Sequence, residues 1–142
     1  MIRRVAVSVS LLCACVAAPP SVAVASGTTD LNAVRVANGL PPLRRSSRAD
    51  AAARSHAVDM ARNAFFSHTG SDGSRFGQRL AAAGCAPYGA ENIAWGQANF
   101  DAVMRSWLGS PGHRRNILNR RATVYGWAVV DRNWVMVFTR GC

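Results

Sequence analysis

The chain has 142 residues, enough for one domain with a single hydrophobic core. It carries 17 basic residues against 7 acidic ones, a formal charge of +10, which favours contact with anionic phospholipid heads, wall polymers or nucleic acid. The patterns CxxC, HExxH and GxSxG, the P-loop and the dinucleotide-binding fingerprint are missing from the sequence. No nucleophile, zinc-protease site or nucleotide site therefore follows from a motif.

The beginning of the chain is typical of a secretory signal peptide. Arg3 and Arg4 form a short basic end, and an apolar run follows over residues 5–18. The run is too short to span a bilayer comfortably. Ala-Val-Ala at 23–25 supplies the small residues of a cleavage site. We therefore assign residues 1–25 to a signal peptide and expect a secreted, extracellular protein.

Two other fates of this segment are open. It can remain as an uncleaved membrane anchor, or Cys15 can carry a lipid after lipoprotein processing. In either case the predicted domain covers residues 26–142. That domain has 15 basic residues against 7 acidic ones, a formal charge of +8. We expect no transmembrane segment in the mature chain.

Two of the four cysteines lie in the domain, Cys85 and Cys142. A secreted chain with two cysteines most simply forms one disulfide. Closing a loop of about 57 residues would contribute roughly 4 kcal/mol on the chain-entropy model. Two free thiols, or Cys142 pairing between chains, are the alternatives.

The domain reads as helices packed around a small, mostly antiparallel sheet. Apolar spacing and capping residues predict helical segments over residues 30–38, 47–63, 74–83, 99–109 and 113–118. Strands are predicted over residues 89–96, 124–130 and 133–139. Asp131 and Arg132 are placed to form the turn of a hairpin between the last two strands.

The stretch GAENIAWG, residues 89–96, contains Glu91, the sole glutamate of the chain. Its neighbours Ala90, Ile93, Ala94 and Trp95 are apolar. Burying a carboxylate in such surroundings costs free energy unless it is paired. The sequence therefore predicts either a partner or a functional role for Glu91.

Three residues with useful chemistry lie where predicted elements end: His68, Glu91 and His113. Two imidazoles and a carboxylate can bind one divalent metal, most naturally zinc, or form an acid–base cluster. Spacing alone leaves open that the three never meet. His56 lies on an apolar helix face, which favours a structural, partly buried histidine. Asp101 in a first helical turn is explained by the helix dipole.

Four arginines cluster beside His113: Arg114, Arg115, Arg120 and Arg121. They form either a solvated face or an anion-docking patch. The tryptophans are Trp95, Trp107, Trp127 and Trp134. Core packing explains them better than base stacking, and we expect no specific nucleic-acid partner.

Several motifs, taken in order and spacing, resemble a known family. They are FFSHTGSDGS, GAENIAWG, SWLGSPGHRRNIL and the closing VYGWAVV and NWVMVFT. Together they resemble the bacterial branch of the CAP superfamily, which comprises cysteine-rich secretory proteins, antigen 5 and class 1 pathogenesis-related proteins. The resemblance runs from about Leu31 to Cys142.

The resemblance implies an α+β fold, an α-β-α sandwich with a small sheet between helices. It also implies a central cavity in which His68, Glu91 and His113 match the family's cavity residues, with zinc or magnesium on the two histidines. Animal members have a second cavity glutamate where this chain has Ser110. Only three of the usual four residues are therefore matched.

Three functions are compatible with these features. The leading hypothesis is a binding module for a lipid or an anionic cell-surface component, using the cavity and the arginine patch. The alternative is a metal-assisted hydrolase, in which metal at His68 and His113 activates water and Glu91 moves the proton. The third is a structural or signalling domain in which the triad is a polar core cluster. The oligomeric state is not predicted.

Overall fold

The computed structural model describes residues 30–142. The predicted signal peptide over residues 1–25, including Cys15, lies outside this range. The helices are α1 (Leu31–Ala37), α2 (Ser47–Asn63), α3 (Phe76–Ala82), α4 (Phe100–Gly109) and α5 (Pro111–Ile117). The strands are β1 (Arg44–Arg45), β2 (Gly89–Trp95), β3 (Val124–Val130) and β4 (Asn133–Thr139).

The four strands form one sheet in the order β1-β3-β4-β2. The β2–β4 and β3–β4 pairs are antiparallel, and only the short β1 runs parallel to its neighbour β3. The expectation of a mostly antiparallel sheet is therefore confirmed. β1 was not predicted, because two exposed arginines give no alternation of polar and apolar residues. β2 lies at the other edge of the sheet, which matters for the site described below.

The turn between β3 and β4 is the predicted hairpin. Asp131 and Arg132 have φ angles of 46° and 60°, so both central residues are left-handed. Such a pair matches the right-handed twist of the flanking strands. Val130 consequently pairs with Asn133, and the register continues to Val124 opposite Thr139.

Helices cover both faces of the sheet. On one face, Ala53, Ala57 and Met60 of α2 pack in a cluster with Val135 and Val137 of β4. On the other face, Trp134, Met136 and Phe138 of β4 cluster with residues of α4 and α5. That second cluster contains Val103, Met104, Trp107, Ile117, Met136 and Phe138. Because successive strand residues point to opposite faces, β4 serves both clusters, and the expected α-β-α sandwich is confirmed.

The N-terminal end of α2 lies almost in contact with β3. A Cβ atom added to Gly126 would clash with the backbone of Ala49 and Asp50. The Asp50 carboxylate accepts a hydrogen bond of 2.9 Å from the backbone N–H of Trp127. Glycine at this strand position therefore sets how closely the helix approaches the sheet.

The predicted disulfide is present, joining Cys85 before β2 to Cys142 after β4. The two cysteines are 57 positions apart in the sequence. The backbone N–H of Ala86 donates to the carbonyl of Gly141 at 2.8 Å, so the two bridged segments also pair directly.

Three expectations from the sequence were wrong in detail. α3 begins at Phe76 rather than Ser74, because Arg75 is the extended N-cap residue. α5 begins at Pro111, two residues before the predicted start, because proline is well suited to the first helical position. Trp95 is 66% exposed rather than part of the core, because β2 ends there. Among the described residues, no helix is long and apolar enough to cross a membrane.

Candidate functional site

The candidate site lies along the edge strand β2. His68 follows α2 in a loop, Arg79 belongs to α3, Glu91 to β2 and His113 to α5. α2 packs on one face of the sheet and α5 on the other. The site residues therefore come from elements on both faces of the sheet, next to its edge, which explains why they are far apart in the sequence.

The Glu91 side chain is 1% exposed and is fully paired. Arg79 Nη2 donates to both carboxylate oxygens, at 2.9 Å to Oε2 and 3.2 Å to Oε1. His68 Nδ1 lies 2.9 Å from Oε1. The structure thus supplies the partners that the apolar surroundings of Glu91 require.

Arg79 is the member of the site that was not predicted from the sequence. Besides Glu91, it donates to the carbonyls of His68 at 3.0 Å and Ser74 at 2.8 Å. It therefore anchors the loop that carries His68. The sequence contained a signal for such a partner. A buried carboxylate is stabilised by a positive charge, and arginine is the basic side chain best suited to buried ion pairs.

His68 is paired on one nitrogen and accessible on the other. A carboxylate can only accept, so Nδ1 carries the proton that it shares with Glu91. In the neutral ring, Nε2 then has a free lone pair. The His68 side chain is 54% exposed, and no described residue forms a hydrogen bond with Nε2. This arrangement can accept a proton from a solvent-side ligand or bind a cation.

His113 is half-buried in α5, on the far side of β2 from α2. Burial lowers the pKa of His113 below its ordinary value of 6.5, and the nearby charge of His68 lowers it further. Its carbonyl accepts a hydrogen bond of 3.2 Å from Asn92 Nδ2, and Asn116 Nδ2 donates to Asn92 Oδ1 at 2.8 Å. These hydrogen bonds fix α5 against β2. The His113 ring is close enough to His68 for the charge of one imidazole to affect the pKa of the other.

The predicted triad does not fit a three-ligand metal site. Among residues 30–142, no three or more His, Cys, Asp or Glu side chains are arranged to hold an ion. Both Glu91 oxygens already bind Arg79. A metal would therefore have only the imidazoles of His68 and His113, fewer protein ligands than zinc usually takes. Glu91 would orient His68 as an outer-shell partner rather than bind the metal.

His56 has the structural role that was predicted, and it is fully buried rather than partly so. Its Nε2 lies 2.7 Å from the carbonyl of Ser67, the residue before His68. Burial lowers the pKa of His56 below 6.5. The neutral His56 ring therefore holds the loop that carries His68 through its hydrogen bond with Ser67. Asp101 lies in the first turn of α4, as the helix-dipole interpretation requires.

Three of the four patch arginines line one groove of about 640 Å³ beside α4 and α5. We call it the arginine groove; it is lined by Leu108, Pro111, Arg114, Arg115, Leu118 and Arg120. All three arginines are exposed. No carboxylate in the described part of the chain forms an ion pair with them. Arg114 Nη2 donates to Asn38 Oδ1 at 3.1 Å, which holds its guanidinium in place.

The fourth arginine lies elsewhere. Arg121 belongs to a separate groove of about 260 Å³. We call it the tyrosine groove; it is lined by Tyr88, Asn119, Arg121, Ala122, Thr139 and Arg140. The four arginines predicted as one patch are therefore divided between two neighbouring grooves.

Comparison with known proteins identifies the family. A family model described as "CAP: Cysteine-rich secretory protein family" matches residues 28–138. In Bacillus subtilis, the uncharacterized protein YkwD is 34% identical over 110 residues, covering 75% of this chain and 43% of YkwD. The uncharacterized membrane protein YlbC of the same organism is 33% identical over 105 residues, covering 72% and 30% respectively. The chain thus spans less than half the length of these curated relatives.

Solved structures show the same fold. An extracellular protein containing a SCP domain from Bacillus anthracis str. Ames superimposes with a TM-score of 0.74 at 32% identity, covering 78% of this chain and 37% of that one. An outer surface protein from Borrelia burgdorferi, at 21% identity, supports the fold alone, with a TM-score of 0.69 and coverages of 79% and 87%. The family match spans the helices, the sheet and the paired site residues described above. The chain therefore belongs to the CAP, or cysteine-rich secretory protein, family.

Proposed function

We propose that this protein is an extracellular binding module that holds an anionic amphiphile, a lipid with a phosphate headgroup, in the arginine groove. One observation carries the proposal. The groove combines three exposed arginines, without carboxylate partners in the described chain, with the apolar side chains of Leu108 and Leu118. Its volume of about 640 Å³ is that of a small-molecule site.

The chemistry of the lining matches such a ligand at both ends. Guanidinium groups bind phosphate oxygens through paired, charge-assisted hydrogen bonds. Arg114 is oriented by Asn38, so less side-chain entropy is lost on binding. Leu108, Pro111 and Leu118 can bury part of a hydrocarbon chain. Leu108 and Leu118 pack partly against the core, and a wholly polar ligand would leave their remaining apolar surface uncovered.

Calorimetric titration with a short-chain phosphatidylglycerol, kept below its micelle concentration, tests the proposal. The variant Arg114→Gln/Arg115→Gln/Arg120→Gln should bind at least about tenfold more weakly, because the loss of even one charged hydrogen bond costs roughly 1.5–3 kcal/mol. Arg54→Gln/Arg62→Gln is the control, since it removes exposed charge from α2 on the opposite face. Equal binding by all three proteins would refute the proposal.

Secretion is part of the same proposal. It is supported by the predicted signal peptide over residues 1–25 and by the likeness to an extracellular protein from Bacillus anthracis. N-terminal sequencing of protein from the culture medium should find a chain beginning at Ser26. Membrane-associated protein with a lipid on Cys15 would instead establish the anchored form.

A second candidate function, hydrolysis, is favoured by the His68–Glu91 pair. Glu91 holds the ring so that the accessible Nε2 can act as a general base, which replaces Glu91 as the group that moves the proton. If the chain hydrolyses a cell-surface substrate, His68→Ala should abolish turnover while Arg114→Gln/Arg115→Gln spares the chemical step. Turnover that survives His68→Ala would refute this mechanism.

A divalent ion on His68 and His113 accompanies this candidate. When bound, zinc would supply Lewis-acid chemistry and lower the pKa of a bound water. Metal analysis of the intact protein beside His68→Ala/His113→Ala tests the ion without reference to activity. Two imidazoles are fewer protein ligands than zinc usually takes, so we expect the first protein to bind an ion only at raised metal concentration and the second to bind none. Equal metal content in both would exclude this site.

A further inference from the structure

We infer that the tyrosine groove is a second anion site, and that the two grooves together dock the protein flat on an anionic phospholipid bilayer. The inference rests on the proposed function, since it takes the arginine groove as the first contact. It assigns a role to Arg121, Arg140 and Tyr88, which the proposed function does not use.

The tyrosine groove carries two more cations that are free of acidic partners. Arg121 and Arg140 both line it, one in the segment after α5 and the other directly after β4. Both are exposed, and the ion pairs of residues 30–142 include neither of them. Two guanidinium groups at one groove repel each other unless an anion lies between them. Their placement therefore favours binding of a phosphate group.

The lining of the tyrosine groove differs from that of the arginine groove. Its volume is about 260 Å³, less than half that of the arginine groove, and the polar side chains of Asn119 and Thr139 are part of its lining. It fits a headgroup rather than a whole lipid. Tyr88 at its border is 73% exposed, an aromatic ring with a polar tip. Such rings are enriched at the headgroup level of membranes.

The two grooves lie on either side of one short segment. Leu118 and Arg120 line the arginine groove, whereas Asn119, Arg121 and Ala122 line the tyrosine groove. Arg120 and Arg121 are consecutive, so the charged borders of the grooves adjoin. A bilayer presents many phosphates in one plane and can occupy both grooves at once, which raises the overall affinity beyond that of either site.

A bilayer explains features that a soluble polyanion does not. A hydrophilic polymer would neutralise the arginines but would offer nothing to the exposed ring of Tyr88 or to Leu108 and Leu118. At a membrane, the ring enters the interfacial region while the arginines bind headgroups. The observations therefore favour a lipid surface as the partner.

Vesicle binding by the full mature chain tests the inference, with phosphatidylglycerol in phosphatidylcholine as the probe and pure phosphatidylcholine as the blank. Arg121→Gln/Arg140→Gln should weaken binding by about 30-fold, since each basic residue at an anionic surface contributes roughly fivefold. Tyr88→Ser should weaken it less. The control Arg54→Gln/Arg62→Gln removes the same charge from the α2 face and should bind like wild type.

The outcomes separate the two proposals. Arg121→Gln/Arg140→Gln should still bind monomeric short-chain phosphatidylglycerol at the arginine groove with wild-type affinity, because that groove is intact. If this variant also binds vesicles like wild type while Arg114→Gln/Arg115→Gln does not, the second site is wrong and the proposed function stands. If the α2 control loses as much affinity as either groove variant, diffuse charge explains binding and both fail. Binding to soluble polyphosphate but not to vesicles would overturn the bilayer as partner.

Discussion

Burial removes the Glu91 carboxylate from water, and the Arg79 guanidinium at 2.9 Å offsets the cost. The anomaly was visible in the sequence, since a lone glutamate sits among apolar residues. Its main partner was not, because no local pattern links residues on different elements 12 positions apart. The resemblance to the CAP family implied that Glu91 lies beside His68 and His113. The contact with His68 is present, whereas direct pairing of Glu91 with His113 is not among the contacts of the described chain.

Arg79→Met should lower the free energy of unfolding by about 3–5 kcal/mol, because it leaves Glu91 buried without a counter-charge. Glu91→Gln should cost about 1–3 kcal/mol, because it breaks a satisfied polar contact. The double variant should cost less than the sum of the two, which urea unfolding can measure. Arg62→Met, an exposed position on α2, is the control and should change stability by less than about 0.5 kcal/mol. Strict additivity would show that the two side chains do not act as a pair.

His56 predicts how stability depends on pH. Burial lowers its pKa in the folded state, with Arg79 acting in the same direction, whereas Glu91, Asp59 and the Ser67 carbonyl oppose the shift. As the pH falls through about 6.5, His56 is therefore protonated in the unfolded chain but stays neutral in the folded chain. Stability is complete above that pH and should fall as the pH drops towards about 5, by at most about 1.4 kcal/mol per pH unit for one histidine.

The variant His56→Gln isolates this contribution. It lacks the titrating ring, so its stability should fall less between about pH 7 and pH 5, although its stability at neutral pH is lower. Urea midpoints at several pH values measure both slopes. His113 shifts in the same direction and accounts for a residual slope in the variant. Identical slopes in the two proteins would show that His56 does not carry the effect.

At the scale of elements, periodicity predicted the helices and the three long strands, because each buries a regular stripe or face. It failed where the signal is short or ambiguous. β1 is two arginines long and joins the sheet only because Arg44 and Arg45 pair with β3. The last helix was predicted to begin at His113, yet Pro111 is its first residue. Such endings depend on tertiary packing that one sequence window does not contain.

The contact between α2 and β3 gives a prediction for a glycine. Gly126→Ala places a Cβ against the backbone of Ala49 and Asp50, so the helix must move away from the sheet. We expect a loss of about 1–3 kcal/mol or more in unfolding free energy. Gly109→Ala is the matched control: it lies in α4, and an added Cβ there meets nothing within 4 Å. That change should stabilise the protein by up to about 1 kcal/mol. Equal effects of the two substitutions would contradict the account.

At the scale of the molecule, the edge strand β2 carries Glu91 and is also protected by two helices. Trp107 Nε1 donates to the carbonyl of Ile93 at 3.1 Å, and Asn116 Nδ2 donates to that of Glu91 at 3.3 Å. Side chains of α4 and α5 thus satisfy carbonyls that an open edge would offer to another strand. The same helices carry the arginine groove, so the elements that close the sheet also present the proposed binding surface.

The disulfide should stabilise the whole fold through the unfolded state. Cys85→Ala/Cys142→Ala frees a loop of 57 residues, and we expect the unfolding free energy to fall by about 4 kcal/mol. In the folded state, the hydrogen bond from Ala86 to Gly141 and the β2–β4 ladder still hold the bridged ends together. Phosphatidylglycerol binding should therefore survive in the folded variant.

Urea unfolding of the oxidised, reduced and alanine-substituted chains measures this contribution. The reduced wild type and the double variant should share one midpoint, and both should show a larger dependence on urea than the oxidised chain, because an uncrosslinked chain exposes more surface when it unfolds. Matching midpoints with an unchanged urea dependence would place the stabilisation in native contacts instead. A midpoint unaffected by reduction would mean that the sandwich is held by its two apolar clusters alone, with the covalent link adding nothing to equilibrium stability.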